Sequence, residues 1–237
     1  EEVVDLVGGI ADIQSNTIRT VGRAQERFDE DPLRKLRALR FTARTGGKLD
    51  RDVAEALNKD NTLKDISAER IRDEFKKSIE SAKDTKKYLQ MLEEFNFWHI
   101  MFPGLEINKN FTHSIYWILQ ITQLFIKNDR NTLKKTLNKL AYSNQEIQSI
   151  IFLKELMDIE PDTVFDLYKI HSIVKLDKKL ITSFAMWNNL DMKMVKAFLK
   201  YKPTTSGKDI IDIFKVKGPE IAQKLKEVEA EKFRALL

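Results

Sequence analysis

At 237 residues the chain is long enough for one large or two small domains, and its 42% apolar and 32% charged residues are typical of a globular protein. The 41 Lys and Arg against 36 Asp and Glu give a net charge of +5, which is compatible with a nucleic-acid partner. The absence of cysteine excludes disulfide bonds and thiolate metal sites, and no apolar run approaches the ~20 residues of a membrane span.

The N-terminal residues contain the one stretch that we predict to form strands. Residues 10–13 and 17–21 alternate loosely between apolar and polar side chains, with Gln14-Ser15-Asn16 between them, which predicts a short β-hairpin. The whole chain has only 8 Gly and 5 Pro, so the rest of it is poor in turn residues. We therefore expect a mainly α fold that is all-helical after Asp29.

A helix rich in arginine is predicted next. Asp31-Pro32 is typical of a helix start, and Thr45-Gly46-Gly47 is typical of an end. At about 100° per residue, one sector of this helix is apolar and carries Leu36, Leu39 and Ala43. The adjoining sector carries four arginines with no acid among them: Arg34, Arg37, Arg40 and Arg44. Because exposed helix faces usually mix acids with bases, this arrangement indicates a site for an anionic group.

Capping residues and apolar spacing predict the remaining helices. Asp50 and Ser67 each precede an apolar stripe, and Ser143 with Glu146 has the spacing of a capping box. Further helices are predicted over 85–95, from Thr112, from Pro161 and up to about Lys200. Residues 202–207 are predicted to be a joint, followed by two short helices on either side of 217–219.

Three motifs within the first 80 residues resemble those of one enzyme family. Glu30-Asp31-Pro32-Leu33-Arg34 resembles an E-D-x-x-R motif, and residues 5–13 resemble D-x-x-G-G-x-x-D-L with isoleucine at the last position. Glu69-Arg70-Ile71-Arg72-Asp73-Glu74 resembles E-R-I-x-x-E. In this order the motifs are those of the class II tRNA nucleotidyltransferases (CCA-adding enzymes) and bacterial poly(A) polymerases. Residues 206–211 and 218–221 resemble the family's tail segment.

The resemblance implies an architecture and an activity. Residues 1–28 would end an α/β nucleotidyltransferase head, 29–110 would form the neck that recognises the base, 111–201 a helical body, and 202–237 a tail. The implied reaction is template-independent transfer of CMP and AMP from CTP and ATP to the 3′ end of tRNA, with Mg²⁺. Such a protein would work in the cytoplasm or an organelle matrix, away from membranes.

The family's Gly-Ser and D-x-D motifs for Mg²⁺ are expected upstream of residue 1. We therefore expect the chain to be part of a longer protein, to hold no catalytic or metal-binding residue of its own, and to be inactive alone. Asp29-Glu30-Asp31 matches D-x-D literally, but it opens a predicted helix and is not assigned to metal. The scattered His99, His113 and His171 are expected to be core or surface residues.

The resemblance assigns base reading to Asp31 and Arg34. Cytosine and adenine both present an exocyclic amino donor beside a ring-nitrogen acceptor, whereas guanine and uracil present the opposite order. A carboxylate can accept from the amino group while a guanidinium donates to the ring nitrogen, so one pair reads both C and A. The alternative is a helix cap with an exposed ion pair, worth about 0–1 kcal/mol.

Other residues receive neighbouring roles. Arg37 and Arg40 would face the ribose and triphosphate, or would instead pair with acids of a neighbouring helix. Support is expected from Gly8, Gly9, Asp12, Glu30, Glu69 and Arg70. Lys208, Lys215 and Lys217, near two predicted helix starts in the tail, would contact tRNA phosphates, the alternative being solvated lysines.

Two other functions fit the same motifs. One is a poly(A) polymerase or an enzyme that adds only C or only A. The other is a non-catalytic helical module that binds RNA.

Overall fold

The computed structural model describes residues 4–110, 114 and 116–237. Over these residues the chain forms fifteen α-helices and one pair of two-residue strands, so the mainly α prediction is confirmed. Two compact units are present: Glu1–Gln120 with Lys127–Ser143, and Ile121–Ile126 with Asn144–Leu237. The predicted helix start at Thr112 and the residue His113 lie outside the described residues.

The first unit contains most of the elements near the predicted site. In chain order they are α1 (Gly9–Ser15), β1 (Thr17–Ile18), α2 (Ala24–Glu30), α3 (Leu33–Thr45), β2 (Lys48–Leu49), α4 (Arg51–Lys59), α5 (Ala68–Ser81), α6 (Thr85–Glu94) and α7 (Phe97–Met101). α8 (Trp117–Phe125) begins in this unit and ends in the second, and α9 (Arg130–Lys139) belongs to the first.

The predicted β-hairpin over residues 10–21 is wrong. The Asp5 carboxylate accepts hydrogen bonds from the backbone N–H groups of Gly9 and Ile10, both at 2.9 Å, and thereby starts α1 instead of a strand. β1 pairs in parallel with β2, in the register Thr17–Lys48 and Ile18–Leu49. The alternation at 17–21 therefore marks a real strand, but its partner lies beyond α3.

Gly47 permits this pairing. A Cβ atom on Gly47 would clash with the carbonyl oxygen of Asn16. The same oxygen accepts a hydrogen bond from the Lys48 N–H at 3.0 Å. The close approach of the two backbones gives the physical reason for glycine at this position.

α3 forms much as the sequence predicts. It begins at Leu33, whose N–H donates to Asp31 Oδ1 at 3.3 Å, and it ends at Gly46, which has φ 74°. The apolar sector packs against α5 and α6, and Leu36, Leu39 and Ala43 are completely buried. Phe75 and Tyr88 are buried on the facing helices. At ~1.5–3 kcal/mol per buried large apolar side chain, this packing fixes which sector of α3 faces solvent.

Two of the predicted caps are confirmed. The Asp50 and Ser67 side chains accept from backbone N–H groups at the starts of α4 and α5, and the stripe formed by Phe75, Ile79 and Ala82 is buried. Phe97–Met101 forms the short helix α7, and Trp98 Nε1 donates to the Leu105 carbonyl at 2.7 Å.

The second unit is all-helical over its described residues. It contains the end of α8 and then α10 (Asn144–Leu156), α11 (Val164–Val174), α12 (Lys178–Trp187), α13 (Met192–Lys200), α14 (Gly207–Phe214) and α15 (Pro219–Arg234). α10 packs against α11 and α12, while α15 packs against both α11 and α14.

The predicted joint at 202–207 is anchored to α15 by Glu229. This carboxylate, completely buried, accepts from the Tyr201 hydroxyl at 2.6 Å and from the Thr204 and Thr205 N–H groups at 3.2 and 2.8 Å. Burial by itself raises the pKa of Glu229, but the hydrogen bonds from Thr205 and Tyr201 outweigh burial and leave this pKa below its ordinary value. The segment is therefore bonded into the second unit.

The two units do not coincide with the four predicted segments, since the second unit joins most of the predicted body to the whole tail. The division into head remnant, neck, body and tail stays a prediction. Within the described part of the chain, every helix is too short or too polar to cross a membrane.

Candidate functional site

The four arginines of α3 have different environments. Arg37 and Arg44 are exposed, Arg34 is half-buried, and Arg40 is largely buried. Among the described residues Arg37 has no ion-pair partner, which leaves its guanidinium able to bind an external anion. Only part of the arginine face is therefore available to bind an external anion.

Arg40 is held inside the protein. Its Nε donates to Glu74 Oε1 of α5 at 2.5 Å, the two side chains are 12% and 6% exposed, and its guanidinium lies 4.4 Å from the centroid of the Phe41 ring. The alternative expected from the sequence, an arginine paired with an acid of a neighbouring helix, is what the structure shows at this position.

Asp31 lies at the junction of α2 and α3. Its carboxylate accepts from the Leu33 N–H at 3.3 Å and from Arg70 Nη2 of α5 at 3.3 and 3.4 Å. Arg70 is half-exposed and both contacts are long, so this pair is weak and can be exchanged for another partner. Asp31 therefore has the double contact of a cap and an ion pair.

Arg34 does not pair with Asp31 through its side chain. Its Nη1 donates to Glu30 Oε2 at 2.8 Å and to the Arg27 carbonyl at 3.2 Å, while its backbone N–H donates to the Asp31 carbonyl at 2.9 Å. Glu30 thus supports Arg34 directly, as an i,i+4 partner across the helix junction.

One cavity of about 350 Å³ contains Arg34 and Arg37. Its lining consists of Ile18, Arg19, Thr20, Arg34, Arg37, Ala38, Phe41 and Val53, with no carboxylate among them. Arg19, which sequence reasoning did not single out, comes from the end of β1. β1 pairs with β2, which follows α3 in the chain, and both strands pack against α3, so Arg19 comes to line the same cavity as residues of this helix.

Asp12 and Gly8 position Arg19. Asp12 accepts from Arg19 Nε at 3.1 Å and from Nη2 at 2.7 Å, a bidentate pair. Gly8 has φ 77°, and a Cβ atom there would lie 3.4 Å from Arg19 Nη2. Of the residues expected to give support, Asp12 contacts Arg19, while Gly9 contributes its N–H to the start of α1.

A second cavity of about 520 Å³ contains Asp31 and Arg70, together with Asp29, Glu30 and residues of the 60–66 segment. This segment is fixed by Lys35, which is 1% exposed and donates from Nζ to Asp60 Oδ2 at 2.6 Å and to the Thr62 carbonyl at 2.9 Å. The hydrogen bond from Lys35 lowers the pKa of Asp60 to about 2. Lys35 was missed, although its spacing from Ala38 and Leu39 places it on the buried side of α3.

The E-R-I-x-x-E segment braces α3 from α5. Arg70 contacts Asp31, two residues before α3, and Glu74 contacts Arg40 within α3. Glu69 is exposed in the first turn of α5, where its own N–H and the Ser67 hydroxyl lower its pKa.

The tail lysines Lys208, Lys215 and Lys217 are all exposed. Lys208 lies in the first turn of α14, after the capping box formed by Ser206 and Asp209, and Lys215 ends this helix with φ 56°. This geometry is compatible with both alternatives, namely contact with tRNA phosphates and solvated lysines, so RNA contact stays a prediction.

The described residues contain no candidate metal site. Within residues 4–110, 114 and 116–237 no group of three or more His, Cys, Asp or Glu side chains could hold a metal ion. The described residues therefore do not fit Mg²⁺. His171 packs against Phe152 and Phe198, with ring centroids 5.1 and 5.7 Å away.

Comparison with known proteins identifies relatives of the whole region. A family profile described as "Probable RNA and SrmB-binding site of polymerase A" matches residues 48–108. A CCA-adding enzyme of Leuconostoc citreum is 27% identical over 194 residues, covering 76% of this chain and 48% of the relative. A CCA-adding enzyme of Staphylococcus epidermidis is 28% identical over 254 aligned positions, covering 95% and 62%. The chain thus spans roughly half to three-fifths of the length of these relatives.

Solved structures share the fold. The Bacillus stearothermophilus CCA-adding enzyme in complex with CTP has a TM-score of 0.60 at 20% identity, covering 98% of this chain and 64% of that one. The Thermotoga maritima CCA-adding enzyme complexed with tRNA has a TM-score of 0.54 at 19% identity, with coverage of 97% and 63%. The profile and the curated relatives support the family that the three motifs indicate, and the solved structures share its fold. Over most of its length this chain is similar to CCA-adding enzymes.

Proposed function

We propose that this chain is the nucleotide-selecting and tRNA-binding part of an enzyme that adds CMP and AMP, from CTP and ATP, to the 3′ end of tRNA. The observation that carries the proposal is the surface at the start of α3, where Asp31 and Arg34 flank the helix junction beside an arginine-lined cavity. Relatives named as CCA-adding enzymes, one of them bound to CTP and another to tRNA, support it.

Base selection follows from the two side chains. The Asp31 carboxylate accepts the amino proton of cytosine or adenine, and the Arg34 guanidinium donates to the ring nitrogen. Each must exchange a protein partner for the base: Asp31 leaves Arg70, and Arg34 leaves Glu30. Both pairs are partly exposed and worth about 0–1 kcal/mol each, so hydrogen bonds to a base can replace them.

Phosphate binding is assigned to the adjacent cavity. With the base at Asp31 and Arg34, the ribose and triphosphate extend towards Arg37 on the same face of α3. Arg40, buried against Glu74, takes a bracing role in this arrangement. The tail lysines Lys208, Lys215 and Lys217 are proposed to contact tRNA phosphates.

The chemical step needs groups outside the described site. We expect residues 1–237 by themselves to be inactive in nucleotide transfer, because phosphoryl transfer by this family uses clustered carboxylates on a strand to hold Mg²⁺. The Asp29-Glu30-Asp31 run instead spans the end of α2 and the helix junction. The proposed contribution of this chain is therefore binding and selection.

The test is incorporation of each of the four nucleotides by the intact protein, wild type and Asp31→Asn. Losing the carboxylate leaves the amino group of C or A without its acceptor, at a cost on the order of 1–3 kcal/mol, so incorporation should fall roughly ten- to a hundredfold. Preference for C and A over U and G should also relax. Arg34→Ala should lower incorporation similarly through the ring nitrogen.

Asp29→Asn is the matched control, since Asp29 is an exposed carboxylate two residues away whose partner is Gln25. Asparagine caps a helix about as well as aspartate. Unchanged selectivity in Asp31→Asn, with unchanged stability, would therefore leave Asp31 with the capping role alone.

A poly(A) polymerase is the second candidate, because the matched profile is named for polymerase A. Supplying each triphosphate alone separates the two functions. A CCA-adding enzyme incorporates CMP first on a tRNA that lacks its 3′ end, whereas a poly(A) polymerase extends RNA with ATP alone.

A further inference from the structure

We propose that Arg19 is a phosphate-binding residue of the nucleotide site, held in place by Asp12. The inference rests on the proposed function and extends it to a residue outside the three motifs. Its basis is the convergence of Arg19 with Arg34 and Arg37 on one cavity, from two separate parts of the chain.

The charge of this cavity favours an anion. Three arginines line it, and none of its lining residues is acidic. Arg19 and Arg34 are partly neutralised by Asp12 and Glu30 from outside the lining, while Arg37 has no ion-pair partner among the described residues. The site therefore keeps a net positive charge that a polyanionic ligand would neutralise.

Arg19 is oriented for an additional ligand. Asp12 binds its Nε and Nη2 atoms, and a guanidinium has five N–H donors in a rigid fork, so Nη1 keeps donors directed elsewhere. The Arg19 side chain remains 42% exposed even though it is fixed at one edge. Fixing an arginine before binding lowers the conformational entropy lost when a phosphate arrives.

The cavity's other wall is apolar and favours a nucleotide over an RNA backbone. Phe41, Ala38 and Val53 contribute apolar surface to the lining, and charge interactions are stronger beside apolar surface than in open water. Arg34 belongs both to this cavity and to the proposed base-reading pair. A ligand whose base reaches Arg34 therefore brings its own phosphates to Arg37 and Arg19, so the occupant we infer is the triphosphate of CTP or ATP.

The experiment measures equilibrium binding of CTP, cytidine and inorganic tripolyphosphate to the chain by calorimetry. A charge-assisted hydrogen bond to phosphate is worth on the order of 1.5–3 kcal/mol, so Arg19→Gln should weaken CTP and tripolyphosphate binding roughly ten- to a hundredfold. Cytidine binding should change less than about twofold, because cytidine lacks phosphates. Arg19→Lys should lie between, since lysine keeps the charge without the planar fork.

Arg23→Gln is the control. Arg23 is a more exposed arginine outside the cavity whose nearest acid, Glu26, lies 3.9 Å away, and its removal should leave all three affinities unchanged. A thermal melt of each variant verifies that the chain is folded.

Three results would contradict the inference. CTP and tripolyphosphate binding unaffected by Arg19→Gln would remove Arg19 from the site. Weaker tRNA binding with unchanged CTP binding would assign Arg19 to RNA phosphates instead. Equal loss of cytidine and CTP affinity would indicate a general structural effect. Failure of the proposed function is distinguishable, because wild type would then bind CTP and ATP no better than GTP and UTP.

Discussion

The ammonium group of Lys35, which is 1% exposed, lies 2.6 Å from the Asp60 carboxylate in the first unit of the chain. Asp60 lines the same cavity as Asp31, so this ion pair fixes the 60–66 segment beside the proposed base-reading residue. A buried lysine is costly unless its charge is paired, which makes Asp60 the residue on which this part of the structure depends.

We predict that Asp60 makes the stability of the chain dependent on acid. Its pKa is about 2 when folded against an ordinary 3.8, so the folded chain binds fewer protons than the unfolded chain between these values. The stabilisation is complete above about pH 4–5 and disappears as the pH falls through 2. Allowing for partial solvent exposure, its size at neutral pH is about 1–2 kcal/mol.

The measurement is the free energy of unfolding in urea at pH 7, 5 and 3, for wild type and Asp60→Asn. The variant should be less stable at pH 7, and the difference should shrink towards pH 2. Glu55→Gln, which removes an exposed pair with Arg51, should show no such convergence. A difference between Asp60→Asn and wild type that is constant with pH would contradict the prediction.

Arg37 and Arg40 lie one turn apart on α3. We predict that replacing Arg40 lowers stability, whereas replacing Arg37 weakens CTP binding. Arg40→Ala leaves Glu74 buried without its partner and should lower the free energy of unfolding by about 3 kcal/mol. Arg37→Ala removes an exposed side chain and should change it by less than about 0.5 kcal/mol. Binding of CTP should weaken in Arg37→Ala, because Arg37 lines the arginine cavity.

Both variants are compared by urea unfolding and by CTP calorimetry. The reverse result, a stable Arg40→Ala chain and an unstable Arg37→Ala chain, would mean that the roles of the two arginines are exchanged.

The tail lysines should contribute a sequence-independent part of tRNA binding. Changing Lys208, Lys215 and Lys217 to Glu should weaken binding to all tRNAs alike, and the loss should diminish as salt rises. Each lost phosphate contact should reduce the slope of log affinity against log salt by about 0.7–0.9. The measurement is a salt titration of tRNA affinity for the triple variant and wild type.

The control carries the same charge change elsewhere, at the exposed Lys134, Lys135 and Lys139 of α9. An equal loss in both triple variants would indicate a general charge effect. Unchanged tRNA affinity of the tail variant at low salt would place the RNA path on another surface.

Local signals in the sequence were sufficient for several helix boundaries. Asp50 and Ser67 predicted two helix starts correctly, because a capping side chain acts on N–H groups two or three residues away. The bounds of α3 followed in the same way from Asp31-Pro32 and Gly46. The alternation at 10–21 led to a wrong prediction, because a short amphipathic segment fits a strand and a helix equally well. In the structure the Asp5 carboxylate accepts from N–H groups at the start of α1, which favours the helix.

The neighbours of each charged side chain were decided only by tertiary structure. Arg19 and Arg37 line one cavity because β1 pairs with β2 and packs against α3. Arg40 is buried because α3 packs against α5, where Glu74 faces it. The sequence by itself determined the helix that carries the arginines and the sector they occupy. Which arginine binds an acid inside the protein, and which remains for a ligand, depends on contacts between residues far apart in the chain, and these form only when the helices pack.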